Sequence, residues 1–193
     1  MDNKFFIYLA VIFGVIAAGV AIVYGSYLPL LKGRAYINAV NGLANVTTVN
    51  DFIVDFDKDF NIYSPVGDEE TTKFLSGIVL NIVSQSNQSE DAAKALVEYL
   101  KPHINDKNSI HIITIANIYD AMWQHYKKPE YFFEAESYYK KALSYGSVPP
   151  VLYGLLKLYS TAGDKAHLKE IGNLILSYWP DDQGVQALLI QAK

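Results

Sequence analysis

The chain has no cysteine. A disulfide framework, a thiolate metal site and a cysteine nucleophile are therefore excluded. It also has no excess of basic residues. Sixteen Lys and Arg stand against twenty Asp and Glu, for a net charge of −4. A nucleic-acid partner requires a basic face or stripe, so none is expected. The common catalytic signatures are missing as well: no G-x-x-x-x-G-K-[ST], no G-x-G-x-x-G, no G-x-S-x-G and no His-Glu-x-x-His. His103, His111, His125 and His167 stand apart in sequence. Asp55-Phe56-Asp57-Lys58-Asp59 opens like a calcium loop, but Phe60 and Val66 occupy the places that need Gly and Glu. Those acids read as a solvated helix face. No acid, base, nucleophile or metal constellation emerges. The chain is expected to be non-enzymatic, with no catalytic residue, no metal ligand and no cofactor.

Charge is absent from residues 5–31, and the first part of that run, FFIYLAVIFGVIAAGVAIVY, is almost wholly apolar. At roughly 1.5 Å per residue it matches a hydrocarbon core of roughly 30 Å. Nothing like it recurs. The expectation is a single-pass transmembrane anchor over 1–31, a helical linker or capping region over 32–66, and a helical domain over 67–193. A cleaved signal peptide is the competing reading. Lys4 supplies its positive n-region, but the run exceeds the roughly 7–15 residues of an h-region and no A-x-A site follows. The positive-inside count is nearly tied between Lys4 on one side and Lys32 and Arg34 on the other. A tail of four residues can go either way, so the side stays open, with the extracytoplasmic side favoured for the soluble part. Ala10, Gly14 and Ala18 recur every fourth residue, as do Ala17, Ala21 and Gly25, a spacing that suits self-association through the anchor.

Beyond the anchor every apolar pattern has a helical period. Tyr27-Leu28-Pro29 marks the exit from the bilayer, and a helix follows over 30–44. Val49, Phe52, Ile53, Phe56 and Phe60 form the next stripe, which Ser64-Pro65-Val66-Gly67 breaks. Phe74, Leu75, Ile78, Val79 and Ile82 share a face. Ser89 is an N-cap with Glu90 and Asp91 behind it. Ala93, Leu96, Val97 and Leu100 continue that helix. Stripes then run through Ile112 to Tyr126, Phe132 to Leu143, Leu152 to Tyr159, and Leu168 to Tyr178. A last short helix closes the chain. No alternating strand pattern is present. The fold class is all-α, built from antiparallel helix pairs.

The last helix pairs overlay at an offset of about 34 residues. Tyr153-Gly154-Leu155-Leu156-Lys157-Leu158-Tyr159, Ala162-Gly163-Asp164 and Trp179-Pro180 resemble a tetratricopeptide repeat. Leu155 and Tyr159 match the packing places of its first helix, Gly163-Asp164 its turn and Pro180 its end. Ala135, Tyr139 and Ala142 reproduce the A-x-x-x-[FY]-x-x-A pattern of its second helix. Trp123, Leu156, Leu168, Gly172 and Lys128-Pro129-Glu130 depart from it. The resemblance is clearest over 115–149 and 149–182, with a capping helix over 184–193. It implies an α-α superhelix of stacked pairs that presents a concave groove to a protein or peptide partner at or near the membrane. A weaker resemblance links the order of segments to the tetratricopeptide tail of O-antigen ligase-like membrane proteins. It implies an accessory or split part of an envelope polysaccharide enzyme.

On the repeat's geometry the groove is lined by Asn117, Asp120, Gln124 and Lys128 from one helix and Tyr153 and Lys157 from the next. On each helix these share a phase that is rotated away from the packing stripe. Polar and of mixed charge, they are suited to hold a peptide by hydrogen bonds and a lysine–carboxylate contact. An ordinary wet surface has the same sequence pattern.

Overall fold

The computed structural model describes residues 3–192. Residues 1, 2 and 193, the ends of the expected anchor and capping helix, lie outside the described residues. Among the described residues all regular structure is helical. The chain divides into two compact units, the first ending at Thr71 and the second beginning at Thr72.

In the first unit α1 (Asn3–Ile22) passes through a π-helical turn, Val23–Tyr27, straight into α2 (Leu28–Gly42). The stretch Lys4–Asn45 is one helix, long and apolar enough near its start to cross a membrane. Pro29 does not break it, although proline lacks the N–H that a helix interior needs. It sits in the first turn of α2, directly after the π turn, where Leu28 N–H donates to Val23 C=O. That wider turn rearranges the hydrogen-bond ladder where proline interrupts it.

A short 3₁₀ turn then reverses the chain into α3 (Val49–Phe60), which packs back along α2. A capping box starts α3: the Thr48 hydroxyl accepts from Asp51 N–H at 3.1 Å, and the Asp51 carboxylate accepts from Thr48 N–H at 3.0 Å. Phe52 and Phe56 are buried on its inner face, with their rings 4.7 Å apart.

Asp59 falls on that same face and is 0% exposed. This corrects the reading of residues 55–59 as a solvated face: Phe52, Phe56 and Asp59 are spaced four and three apart, one side of a helix. Opposite it, Lys32 is 1% exposed. Its ammonium donates to Asp59 C=O at 2.9 Å and Ile62 C=O at 3.4 Å, and pairs with the Asp68 carboxylate at 2.7 Å. Lys32 thus supplies from α2 the cation for the Asp59 carbonyl in the last turn of α3 and for the Ile62 carbonyl just beyond it.

The second unit carries the rest of α4 (Asp68–Val83), then α5 (Glu90–Leu100), α6 (Ser109–Tyr126), α7 (Pro129–Leu143), α8 (Pro149–Ala162), α9 (Lys165–Tyr178) and α10 (Gln183–Gln191). α6 packs on α7, α8 on α9 and α9 on α10, while α6 also touches α8. The cores follow the sequence stripes, with Leu155 and Tyr159 fully buried. Two expected stripe members do not join them. Phe74 and Tyr178 are exposed, and Thr72, Leu75, Ser76, Val79 and Val83 form the buried face of α4 instead.

The hairpin turns are set by left-handed residues: Gly163 (φ 72°) after α8 and Lys127 (φ 57°) after α6. Glycine adopts that conformation freely; lysine does so at a cost of roughly 1–2 kcal/mol. Gly154 matters for another reason. A β-carbon there would overlap the Tyr139 ring, so its absence lets α7 and α8 approach.

Burial pushes the Asp59 carboxyl above its ordinary value of 3.8, and the nearby Asp68 carboxylate adds to the rise. The Thr71 hydroxyl and the Lys32 ammonium, 3.9 Å away, oppose it without either closing a hydrogen bond. A carboxyl whose folded value is raised holds its proton more tightly when folded. Its contribution to stability is therefore present below the ordinary value and is lost as pH rises through the raised one. Asp59→Asn should flatten this fall. In thermal melts from about pH 4 to about pH 7, the variant should lose less stability than the parent. A steeper fall in the variant would contradict the burial of a strained carboxylate here.

Candidate functional site

A polar concavity of the second unit is built where α4, α6 and α8 come together. It is a basin of about 430 Å³ lined by Leu80 and Ser84, by Asn117, Asp120, Ala121, Gln124 and His125, and by Lys157. Asn117, Asp120 and Gln124 share one face of α6 because they are spaced three and four apart. Lys157 reaches them from α8.

Asp120 organises the basin. It is 3% exposed, and its carboxylate accepts from Gln124 Nε2 at 2.9 Å to each oxygen and from Lys157 Nζ at 3.0 Å. The buried charge is thus paired and hydrogen-bonded, as a carboxylate out of water must be. Lys157 itself remains largely exposed, so its other donors face the opening. Asn117 Oδ1 accepts from the Tyr139 hydroxyl at 2.5 Å, which fixes the amide and leaves its NH₂ for the basin. Burial pushes the Tyr139 hydroxyl well above the usual tyrosine value, and the Asp120 charge adds to this. Tyr139 therefore stays a neutral donor.

The basin offers an amide NH₂, an amide carbonyl and a lysine ammonium. These can hydrogen-bond a peptide backbone or an acidic side chain. Among the described residues, no three His, Asp or Glu side chains come together in a way that could hold a metal ion.

Four of the six groove residues expected from sequence meet here: Asn117, Asp120, Gln124 and Lys157. Lys128 and Tyr153 do not. Lys128 pairs with Glu90 of α5 at 2.7 Å. The same carboxylate accepts from the Tyr131 hydroxyl at 2.5 Å and pairs with Lys94 at 3.0 Å. Hydrogen bonds from Lys128, Tyr131 and Lys94, in that order, hold Glu90 down at about 2. Tyr153 donates its hydroxyl to Asp182. Its ring lies 6.3 Å from that of Trp179, in a separate shallow depression of about 570 Å³ with Pro149, Tyr178 and Asp181.

Sequence reasoning did not find the α4 wall, Leu80 and Ser84. It also treated Asp120 as outward-facing, whereas the carboxylate is buried. The available signal was its place four residues after Ala116 on the packing side.

Comparison with protein-family models, with curated proteins and with solved structures finds no significant match.

Removing one member of the Asp120–Lys157 pair leaves the other unbalanced. Lys157→Met should destabilise the second unit by about 1–3 kcal/mol, because Asp120 keeps a buried charge with only Gln124 beside it. Asp120→Asn combined with Lys157→Met should recover most of that loss. A double-mutant cycle by chemical denaturation reads the coupling. Strictly additive losses would show that the basin is not organised by this pair.

Proposed function

We propose that this chain is a membrane-tethered, non-enzymatic scaffold. Its helical-repeat domain, tetratricopeptide-like in the stacking of its pairs, holds a protein or peptide partner at or near the membrane. The observation that carries this reading is the amide- and lysine-lined basin, set across helices that neighbouring hairpins supply. Side chains from α4, α6 and α8 converge there although they are far apart in sequence. A surface assembled from stacked elements in this way suits recognition of an extended chain.

Two further features support it. Ala135, Tyr139 and Ala142 are buried on one face of α7, and Gly154 admits the Tyr139 ring, which is compatible with the repeat the sequence resembles. The helix Lys4–Asn45 is long and apolar enough to tether the domain to a bilayer. Confinement to a membrane raises the effective concentration of the scaffold near membrane partners without any new contact.

The tether is the cheaper half to test. In cells expressing the full chain, carbonate extraction should leave the protein in the membrane pellet with residues 5–24 intact. Release into the supernatant, or a mature N-terminus at Ser26, would make the apolar run a cleaved signal and overturn the tether. Protease digestion of intact cells and of spheroplasts then reports which side the helical domain faces.

A further inference from the structure

We propose that the loop between α3 and α4, residues 61–67, is seated in the lipid headgroup region beside the helix that crosses the bilayer. This inference rests on the membrane-tether reading, and it adds a second membrane contact to the anchor.

The argument begins with depth. If the run 5–24 fills a hydrocarbon core of roughly 30 Å, Tyr24 lies at its edge. α2 then climbs away from that edge, and α3 returns antiparallel to it. The segment after α3 is thereby brought back to the level at which α2 began. The Tyr63 ring meets the Tyr24 ring edge-on at 6.4 Å. The interfacial layer is about 5–8 Å deep on each side, so Tyr63 falls within it. Tyr24, Tyr27 and Tyr63 then form an aromatic group at one interface, where amphipathic rings concentrate.

The chemistry of the loop agrees. Residues 61–67, Asn-Ile-Tyr-Ser-Pro-Val-Gly, carry no charge. Tyr63 is 69% exposed and Val66 61%, and Pro65 between them is also exposed. Apolar side chains turned outward at the end of an apolar helix extend one continuous surface. The loop's polar groups are largely satisfied from within. The Ser64 hydroxyl donates to Val66 C=O at 2.6 Å, Ile62 N–H donates to Asp59 C=O at 3.0 Å, and Ile62 C=O accepts from Lys32. Internal satisfaction lowers the cost of leaving bulk water.

Lys32 also holds the loop in place. Its side chain packs against Gly67, where a β-carbon would come within 3.2 Å of Lys32 Cδ. The nearest cation to the loop is therefore consumed internally, and the seat depends on aromatic and apolar groups rather than on attraction to anionic lipid.

Because the chain has no cysteine, a single introduced thiol can carry a nitroxide label without background. The full chain would be reconstituted in phosphatidylcholine vesicles with labels at Gly14→Cys, Ala44→Cys, Tyr63→Cys and Val66→Cys. Power saturation compares access by oxygen, which enters lipid, with access by a nickel chelate, which stays in water. Position 44, at the far end of the α2–α3 hairpin, serves as the aqueous reference. Positions 63 and 66 should show an oxygen-to-nickel ratio several-fold above position 44, and position 14 the highest of all. A high ratio at 14 with positions 63 and 66 equal to 44 overturns the loop seat and leaves the tether standing. A low ratio at 14 overturns the tether and the seat together. Exclusion of both reagents at 63 and 66, with dipolar broadening, assigns the loop to contact between copies of the chain and also overturns the proposal.

Discussion

Lys32 is the first cation after the apolar run, and the first unit is arranged around taking it out of water. A buried ammonium is costly unless every donor finds an acceptor. Here the acceptors are the Asp59 and Ile62 carbonyls and the Asp68 carboxylate, supplied by the end of α3, the loop after it and the start of α4. One side chain therefore fixes the register of α3 on α2, closes the C-terminus of α3 and sets the turn at Gly67. Removing these acceptors would leave a buried ammonium unpaired, which is why the cluster has to form as a whole. The Lys32 cluster thus turns an apolar helix followed by a hairpin into a defined body.

The second unit is held by a different device. Apolar stripes supply the burial, and tyrosine hydroxyls bind one helix to the next. Tyr139 reaches Asn117, Tyr159 reaches Glu136 at 2.7 Å, and Tyr126 reaches the Gln88 carbonyl at 3.0 Å. Each ring gives apolar area along its body and a directed hydrogen bond at its tip. Glycine at 154 and 172 admits the larger neighbours Tyr139 and Leu189. The basin is a product of this packing: Tyr139 orients Asn117 from below while Lys157 and Gln124 balance Asp120. Its polar groups are thus positioned before any partner arrives, which reduces the ordering cost of binding.

Much of the helical plan was legible in the chain, because local chemistry writes it. Ser89 caps its helix as its place before Glu90, Asp91 and an apolar stripe implied, whereas the caps Asn108 and Asp182 emerge only in the structure. The Gly163-Asp164 turn implied a left-handed residue, and Gly163 has one. What local pattern cannot write is the partner across the fold. Phase on α6 places Asn117, Asp120 and Gln124 on one face, but only the approach of α8 decides that Lys157 joins them. Lys128, counted on that phase in the sequence, lies beyond the left-handed Lys127 that ends α6 and pairs instead with Glu90, some distance back in the chain. Tyr153 is turned away by Asp182, which starts the helix after next. Asp59 shows the same limit. Its spacing from Phe52 and Phe56 points inward although an aspartate side chain ordinarily faces water, and the ammonium that stands opposite comes from another helix. Continuity through Pro29 was illegible as well, because the π turn that accommodates it has no sequence signature of its own.

The central claim is that the Asp120–Lys157 basin holds a partner at the membrane. Photo-crosslinking from within the basin tests it most directly. A benzophenone amino acid at His125, on the basin's rim, should give a discrete protein adduct in native membranes. That adduct should be lost when Lys157 is changed to Glu, and it should be absent when the probe sits at exposed Phe133 on α7. No adduct from 125, or the same adduct from 125 and 133 regardless of Lys157, would contradict the account.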